Sequence, residues 1–129
     1  IQAGGGIFAC RYYTQVCGVE GHWPAIGLLA TVVSRPAPNR AILDIGQKSV
    51  SQHRTMPVLR DYDNCPVLNL SAEHAVVEVA PGEDFPIGKK VTVTPGYSDF
   101  TFVLHDRVLG HRWGMVETVW PLLARGMLQ

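Results

Sequence analysis

Apolar and polar residues alternate in this chain over short stretches, each cut off by glycine, proline or a small polar cluster. Residues 28–34 (LLATVVS) read as a strand that ends at Arg35-Pro36-Ala37-Pro38-Asn39, because proline cannot donate to a sheet ladder. Residues 40–45 follow as a strand closed at Gly46. Residues 66–70 and 73–79 give two more, and the poor alternation of 73–79 predicts burial on both faces. Pro81-Gly82-Glu83-Asp84 is a turn signal, and residues 91–94 (VTVT) have a clean period of two. Residues 100–104, 107–109 and 115–120 complete the predicted strands. No stretch beyond about ten residues keeps a 3.6-residue apolar period, and residues 7–17 are the one candidate for a helix or irregular turn. The pattern predicts a mainly β domain, an antiparallel sandwich or barrel.

Composition narrows the class. With 47% hydrophobic and 17% charged residues the 129-residue chain can bury a core, which excludes disorder. Eleven Lys and Arg balance eleven Asp and Glu, so the cationic excess of a nucleic-acid binder is missing. The longest apolar run, residues 25–33, is too short for a membrane helix, so no membrane partner is expected. No signal-peptide pattern opens the chain, and its first residue is Ile1, which leads us to expect a processed, trimmed or excerpted piece. Cys10, Cys17 and Cys65 cannot all pair and make no CxxC, so buried or incidental thiols in a reducing compartment, the cytoplasm, are expected.

Few residues suggest chemistry. Gly4-Gly5-Gly6 offers backbone amides that an anion can approach without meeting a Cβ, although the spacing is that of neither GxGxxG nor a Walker loop. His22, His53, His74, His105 and His111 show no zinc-site spacing. Glu73-His74 could form a hydrogen-bonded or liganding pair, and Lys48 a contact with Asp44. Tyr97, Asp99 and His105 gather a phenol, a carboxylate and an imidazole after the Pro95-Gly96 break, a set with oxygen donors for a hard cation. Ser98-Asp99 is equally well explained as turn chemistry. Trp23, Trp113 and Trp120 read as core or interface anchors. Nothing resembles a nucleophile elbow.

Several ordered blocks resemble a known family. Ile1-Gln2-Ala3-Gly4, Thr31-Val32-Val33-Ser34-Arg35-Pro36, Asp44-Ile45-Gly46-Gln47-Lys48-Ser49-Val50-Ser51, Leu70-Ser71-Ala72-Glu73-His74 and Val116-Glu117-Thr118-Val119-Trp120-Pro121 follow one another as in the C-terminal β domain of the D-threonine aldolase and D-serine dehydratase-like family. These are pyridoxal-phosphate enzymes built on an alanine-racemase-type (fold type III) barrel. Pro95-Gly96-Tyr97-Ser98-Asp99 is similar to the segment in which that family binds a divalent metal through a histidine and a following Cys or Asp.

The resemblance implies residues 1–24 as the end of a barrel plus a connecting segment, and 25–129 as a single β domain. It implies Gly4, Gly5 and Gly6 near the cofactor phosphate, Asp99 and Tyr97 at a metal (Mn, Mg or Zn), and a homodimer with an amino-acid ligand. Two departures matter. Tyr97 stands in the histidine's place, and a phenol with a pKa of about 10 yields its proton to a metal reluctantly. The lysine that carries the cofactor belongs to the barrel, and Lys48, Lys89 and Lys90 match none of its positions. The chain is therefore expected to be the C-terminal domain of a lyase acting on a D-β-hydroxy amino acid, without activity alone. The other reading is a free-standing, catalytically degenerate β domain that self-associates or binds a small ligand.

Overall fold

The computed structural model describes residues 4–127. Six strands form one antiparallel sheet: β1 (Leu28–Ala37), β2 (Arg40–Leu43), β3 (Val58–Leu59), β4 (Val67–Leu70), β5 (Ala75–Glu78) and β6 (Lys90–Thr94). Their order is β3-β6-β1-β2-β5-β4. Long β1 is the hinge of this sheet. Its first half pairs with β6, Leu28 opposite Val93, and its second half pairs with β2, Val32 opposite Leu43. The sheet curls into a nearly closed barrel around a dry core in which Val32, Leu43, Val50, Leu59, Val77 and Phe85 are almost fully buried. Of the two predicted all-β forms, the barrel is the one taken.

Several strand boundaries depart from the sequence pattern: β2 stops at Leu43 rather than residue 45, β7 runs to Arg112 rather than residue 109, and two others have a visible cause. β1 runs on through Pro36, because the β1–β2 register shifts between Ser34 and Ala37 and the missing proline N–H falls at that irregularity. β5 is shorter than the predicted 73–79 and buries one face: Ala75 and Val77 point inward and Glu78 outward. The apparent loss of alternation came from Glu73 and His74, which lie in the preceding loop.

Residues 100–104 are not a strand. A short helix, α1 (Ser98–Phe102), occupies that place. Pro95-Gly96 turns the chain off β6, the buried Thr101 hydroxyl donates to the Tyr97 carbonyl, and the Leu104 and His105 amides fold back onto Thr101 and Phe102. Local hydrogen bonds there replace a ladder that has no partner. The candidate helix at residues 7–17 resolves into a 3-10 turn at Gly5–Ile7 and a π turn at Tyr12–Val16.

A separate two-stranded hairpin, β7 (Arg107–Arg112) and β8 (Met115–Pro121), closes the chain. Trp113 and Gly114 both have positive φ, as a two-residue hairpin turn requires. Among the described residues no helix is long and apolar enough to cross a membrane. Cys10, Cys17 and Cys65 are free thiols; Cys10 and Cys65 are buried and Cys17 is exposed.

Candidate functional site

The residues of interest meet where three segments converge. Arg11 and Tyr12 donate their amides to the Pro95 and Gly96 carbonyls, which fastens the N-terminal segment to the exit of β6. Gly96 in turn lies against the loop at Thr55: a Cβ there would sit 1.7 Å from the Thr55 carbonyl oxygen, so no other residue fits. The Arg11 guanidinium bonds the Met56 carbonyl at 3.0 Å, and the Ser51 amide bonds the Thr101 hydroxyl at 3.1 Å. Thus β6, α1, the N-terminal segment and the 51–57 loop are locked together by backbone partners rather than by a deep core.

On this frame stands a ring cluster. Tyr97 packs edge-on against Tyr12 at 5.5 Å and Phe100 at 5.5 Å, tilts against Tyr13 at 6.0 Å, and has His53 at 5.8 Å. Arg54, held at a φ of 71°, places its guanidinium 5.7 Å over Tyr12. A non-glycine residue in that left-handed region is strained, and the loop geometry around Gly96 holds it there.

Asp99 is the charge in the cluster and hydroxyls surround it. Tyr13 donates to one carboxylate oxygen at 3.4 Å and Ser98 to the other at 3.1 Å. Hydrogen bonding to Asp99, then to Tyr13, pushes the Tyr97 phenol well above its ordinary pKa, since an adjacent carboxylate favours the protonated phenol. For Tyr13 the largest influence, its bond with Tyr97, lowers the pKa, but burial and Asp99 outweigh it and the net shift is upward. Both phenols are protonated donors at neutral pH. The arrangement can recognise a hydroxyl or an ammonium group beside a carboxylate.

The donor set does not fit a divalent cation by itself. No three His, Cys, Asp or Glu gather anywhere among the described residues, and Tyr97 keeps its proton against Asp99. A metal at Asp99 would need further donors from outside this chain. His105, grouped with Tyr97 and Asp99 in the sequence, instead bonds the Ser49 carbonyl through Nε2 at 2.7 Å and braces the loop. His53 takes the imidazole's place near Tyr97.

The glycine run lies beside the same cluster, through Tyr13. A Cβ on Gly5 would fall 2.6 Å from the Tyr13 hydroxyl, so the bare glycine lets the tyrosine ring lie against it. Gly4 faces open space and Gly6 has only the His22 ring near its Cβ position, at 3.7 Å. No lysine supports a cofactor there. Lys48 pairs with Glu73, Lys89 lies over Tyr62 and Phe85, and Lys90 bonds the Thr31 hydroxyl. A pyridoxal ring would therefore find its attachment and most of its walls elsewhere.

Two other expectations are corrected. Lys48 pairs with Glu73 at 2.7 Å and not with Asp44, whose carboxylate accepts the Thr31 amide of the neighbouring strand. Glu73-His74 is thus no liganding pair, and the lysine's hydrogen bond and charge lower the Glu73 pKa. Of the two roles expected for the tryptophans, the core one is ruled out: Trp23 and Trp113 are almost fully exposed and Trp120 is half exposed. Tyr13 and His53 are the site residues that sequence reasoning missed. The adjacent Tyr12-Tyr13 pair, just after the glycines, was the available signal for one; His53 carried none.

Comparison with known proteins places this geometry. Residues 25–111 match the family described as "Putative serine dehydratase domain". The chain is 40% identical over 100 residues to a D-threonine aldolase of Arthrobacter sp., covering 77% of this chain and 26% of that protein. It is 37% identical over 108 residues to a 3-hydroxy-D-aspartate aldolase of Paracoccus denitrificans (strain Pd 1222), covering 83% and 28%. The crystal structure of a D-threonine aldolase from Filomicrobium marinum superposes with a TM-score of 0.88 at 27% identity, covering 98% of this chain and 36% of that one. D-threo-3-hydroxyaspartate dehydratase from Delftia sp. HT23 shares the fold, with a TM-score of 0.63 at 19% identity over 76% of this chain and 32% of that one. The chain thus spans about a quarter to a third of the length of these relatives.

Proposed function

The chain belongs to the serine dehydratase domain family, and from that premise we propose that it is the C-terminal β domain of a pyridoxal-phosphate-dependent lyase acting on a D-configured β-hydroxy amino acid. The observation that carries the proposal is the superposition of nearly the whole chain on a D-threonine aldolase of which it covers 36%. Within this reading residues 1–24 are the end of a barrel and its connection, and residues 25–129 are the domain proper.

The chemistry assigned to these residues is recognition. Protonated Tyr97 and Tyr13 donate hydrogen bonds, and Asp99 accepts one from, or attracts, the substrate's β-hydroxyl or ammonium group. Tyr97 and Asp99 stand in the segment that the resemblance gives to a divalent metal; since Tyr97 keeps its proton, we assign only Asp99 to such a metal, with the other donors supplied from outside this chain. Gly4, Gly5 and Gly6 lie on the side nearest the cofactor phosphate, Gly4 being the member with open space. The chain alone performs no cleavage, since none of its three lysines reaches this site. The setting proposed is the cytoplasm, consistent with free thiols.

A test uses the chain as it is. D-threonine added to the purified protein is expected to shift the ring resonances of Tyr13 and Tyr97, more than L-threonine does, and Asp99→Ala should abolish the shift. With pyridoxal phosphate and Mn2+ present, no glycine should form. Turnover by the chain alone would overturn the domain reading, and absence of any D-threonine response would overturn the assigned recognition role.

A second reading has its own observation. The exposed apolar hairpin favours a domain that self-associates, and we propose a homodimer under either reading.

A further inference from the structure

Four residues close a circuit along one side of the ring cluster. The Thr101 hydroxyl is buried, with the residue 1% exposed, and it uses both of its roles. It donates to the Tyr97 carbonyl at 2.8 Å and accepts the Ser51 amide at 3.1 Å. The Ser51 hydroxyl in turn accepts the His53 amide at 3.0 Å. The His53 ring then lies 5.8 Å from the Tyr97 ring, which returns the line to its start. The bond to Tyr97 is the ordinary back-bond of a helical threonine. The bond from Ser51 joins residues 50 positions apart and has no such local origin.

One buried oxygen therefore sets two walls of the cluster. On one side it fixes the backbone of Tyr97, whose phenol bonds Asp99; on the other it fixes the loop that carries His53 and Arg54. Arg54 sits at a φ of 71°, a conformation that a free loop would leave, so this segment is held against its own preference. His105 adds a second tie between the same two segments through the Ser49 carbonyl.

What the circuit presents is a hydrogen-bond acceptor. The Tyr13 and Tyr97 phenols keep their protons and donate, and Asp99 already accepts from Tyr13 and Ser98. The His53 ring has Phe100 at 4.8 Å and Tyr97 as aromatic neighbours and no hydrogen-bond partner among the described residues. A neutral imidazole held in this way can accept from a hydroxyl. We propose that Thr101 is a positioning residue of the site: through Ser51 it holds the His53 imidazole against Tyr97, where that ring accepts a hydrogen bond from the β-hydroxyl of an amino acid whose ammonium group lies toward Asp99. The ligand contact rests on the recognition reading above; the placement of His53 does not.

Proton NMR of the full chain tests both parts. The His53 ring resonance, displaced by the ring currents of Phe100 and Tyr97, is compared in wild type, Thr101→Val, Thr101→Ser and Ser51→Ala, and each is titrated with D-threonine. In Thr101→Val the resonance should move to that of an unpacked imidazole and D-threonine binding should weaken about three- to tenfold, while Thr101→Ser restores both. Ser51→Ala cuts only the link to His53. It should move the His53 resonance and weaken binding with the urea midpoint unchanged, a split that a merely structural role does not give. In a His53→Ala background Ser51→Ala should weaken binding no further, because it acts through the imidazole. If Thr101→Val does not fold, Ser51→Ala decides. A His53 resonance unmoved by Ser51→Ala, or additive losses in the double variant, would overturn the inference. A wild-type chain without any D-threonine response would defeat the recognition reading and the ligand contact with it, while a resonance that still moves would uphold the placement of His53.

Discussion

The curled sheet and the terminal hairpin are written in nearly the same sequence language and end in opposite environments. In β6, Val91 and Val93 alternate with polar neighbours and are buried; in β8, Val116 and Val119 sit among similar neighbours and are exposed. The difference is what stands opposite. Val91 and Val93 join the buried core that also holds Leu43, Val77 and Phe85, whereas the hairpin strands pair only with each other. Alternation encodes a strand and its two faces, but not the surface against which a face is laid. The match to the serine dehydratase domain family covers the six-stranded sheet and ends at residue 111, within β7, so β8 lies outside it.

The contrast can be broken most severely at the core. Phe85→Ala removes a fully buried ring packed 4.8 Å from Tyr62 and should cost about 3–5 kcal/mol in urea unfolding, while Leu109→Ala on the hairpin should change the monomer by less than about 0.5 kcal/mol. Equal costs would mean that the hairpin is packed after all. Next in size is Gly96→Ala. Its Cβ would collide with the Thr55 carbonyl, so a loss of about 1–3 kcal/mol is expected together with disturbed Tyr97 and His53 resonances.

Smaller effects separate the site from the scaffold. In an alkaline absorbance titration Tyr13 and Tyr97 should ionise above the ordinary tyrosine range, and Asp99→Asn should bring Tyr97 back down. Because the folded pKa is raised, this contribution to stability is complete below the unfolded tyrosine pKa and is lost as pH rises through the folded value. The least effect belongs to Glu73. Its pKa is depressed by Lys48, so the pair stabilises above the unfolded Glu pKa and fades as pH falls through the folded one; Glu73→Gln should move only the acid limb of the stability profile, slightly, since both side chains are exposed.

Most of the barrel was legible because β-branched runs bounded by Gly and Pro leave little choice at 28–34, 40–45 and 91–94, although the second strand stops at Leu43. β3, only Val58–Leu59, was too short to show a period. Residues 100–104 misled for a physical reason: Phe-Thr-Phe-Val-Leu suits a strand, but Thr101 bonds back to Tyr97 four residues earlier and accepts from Ser51 fifty residues away, and only the second lies outside a local window. The site divides the same way. Tyr97 and Asp99 are near in sequence and were found together. Tyr13 reaches Asp99 across 86 positions, and His53 arrives through a loop pinned at Gly96, contacts that only the folded chain creates.

Hydrogen exchange compares the two regions directly. The account predicts that amides of Val91 and Val93 in the six-stranded sheet exchange slowly, while those of residues 116–120, in a hairpin that pairs with no other strand, exchange rapidly. Protection of β8 equal to that of β6 would contradict it.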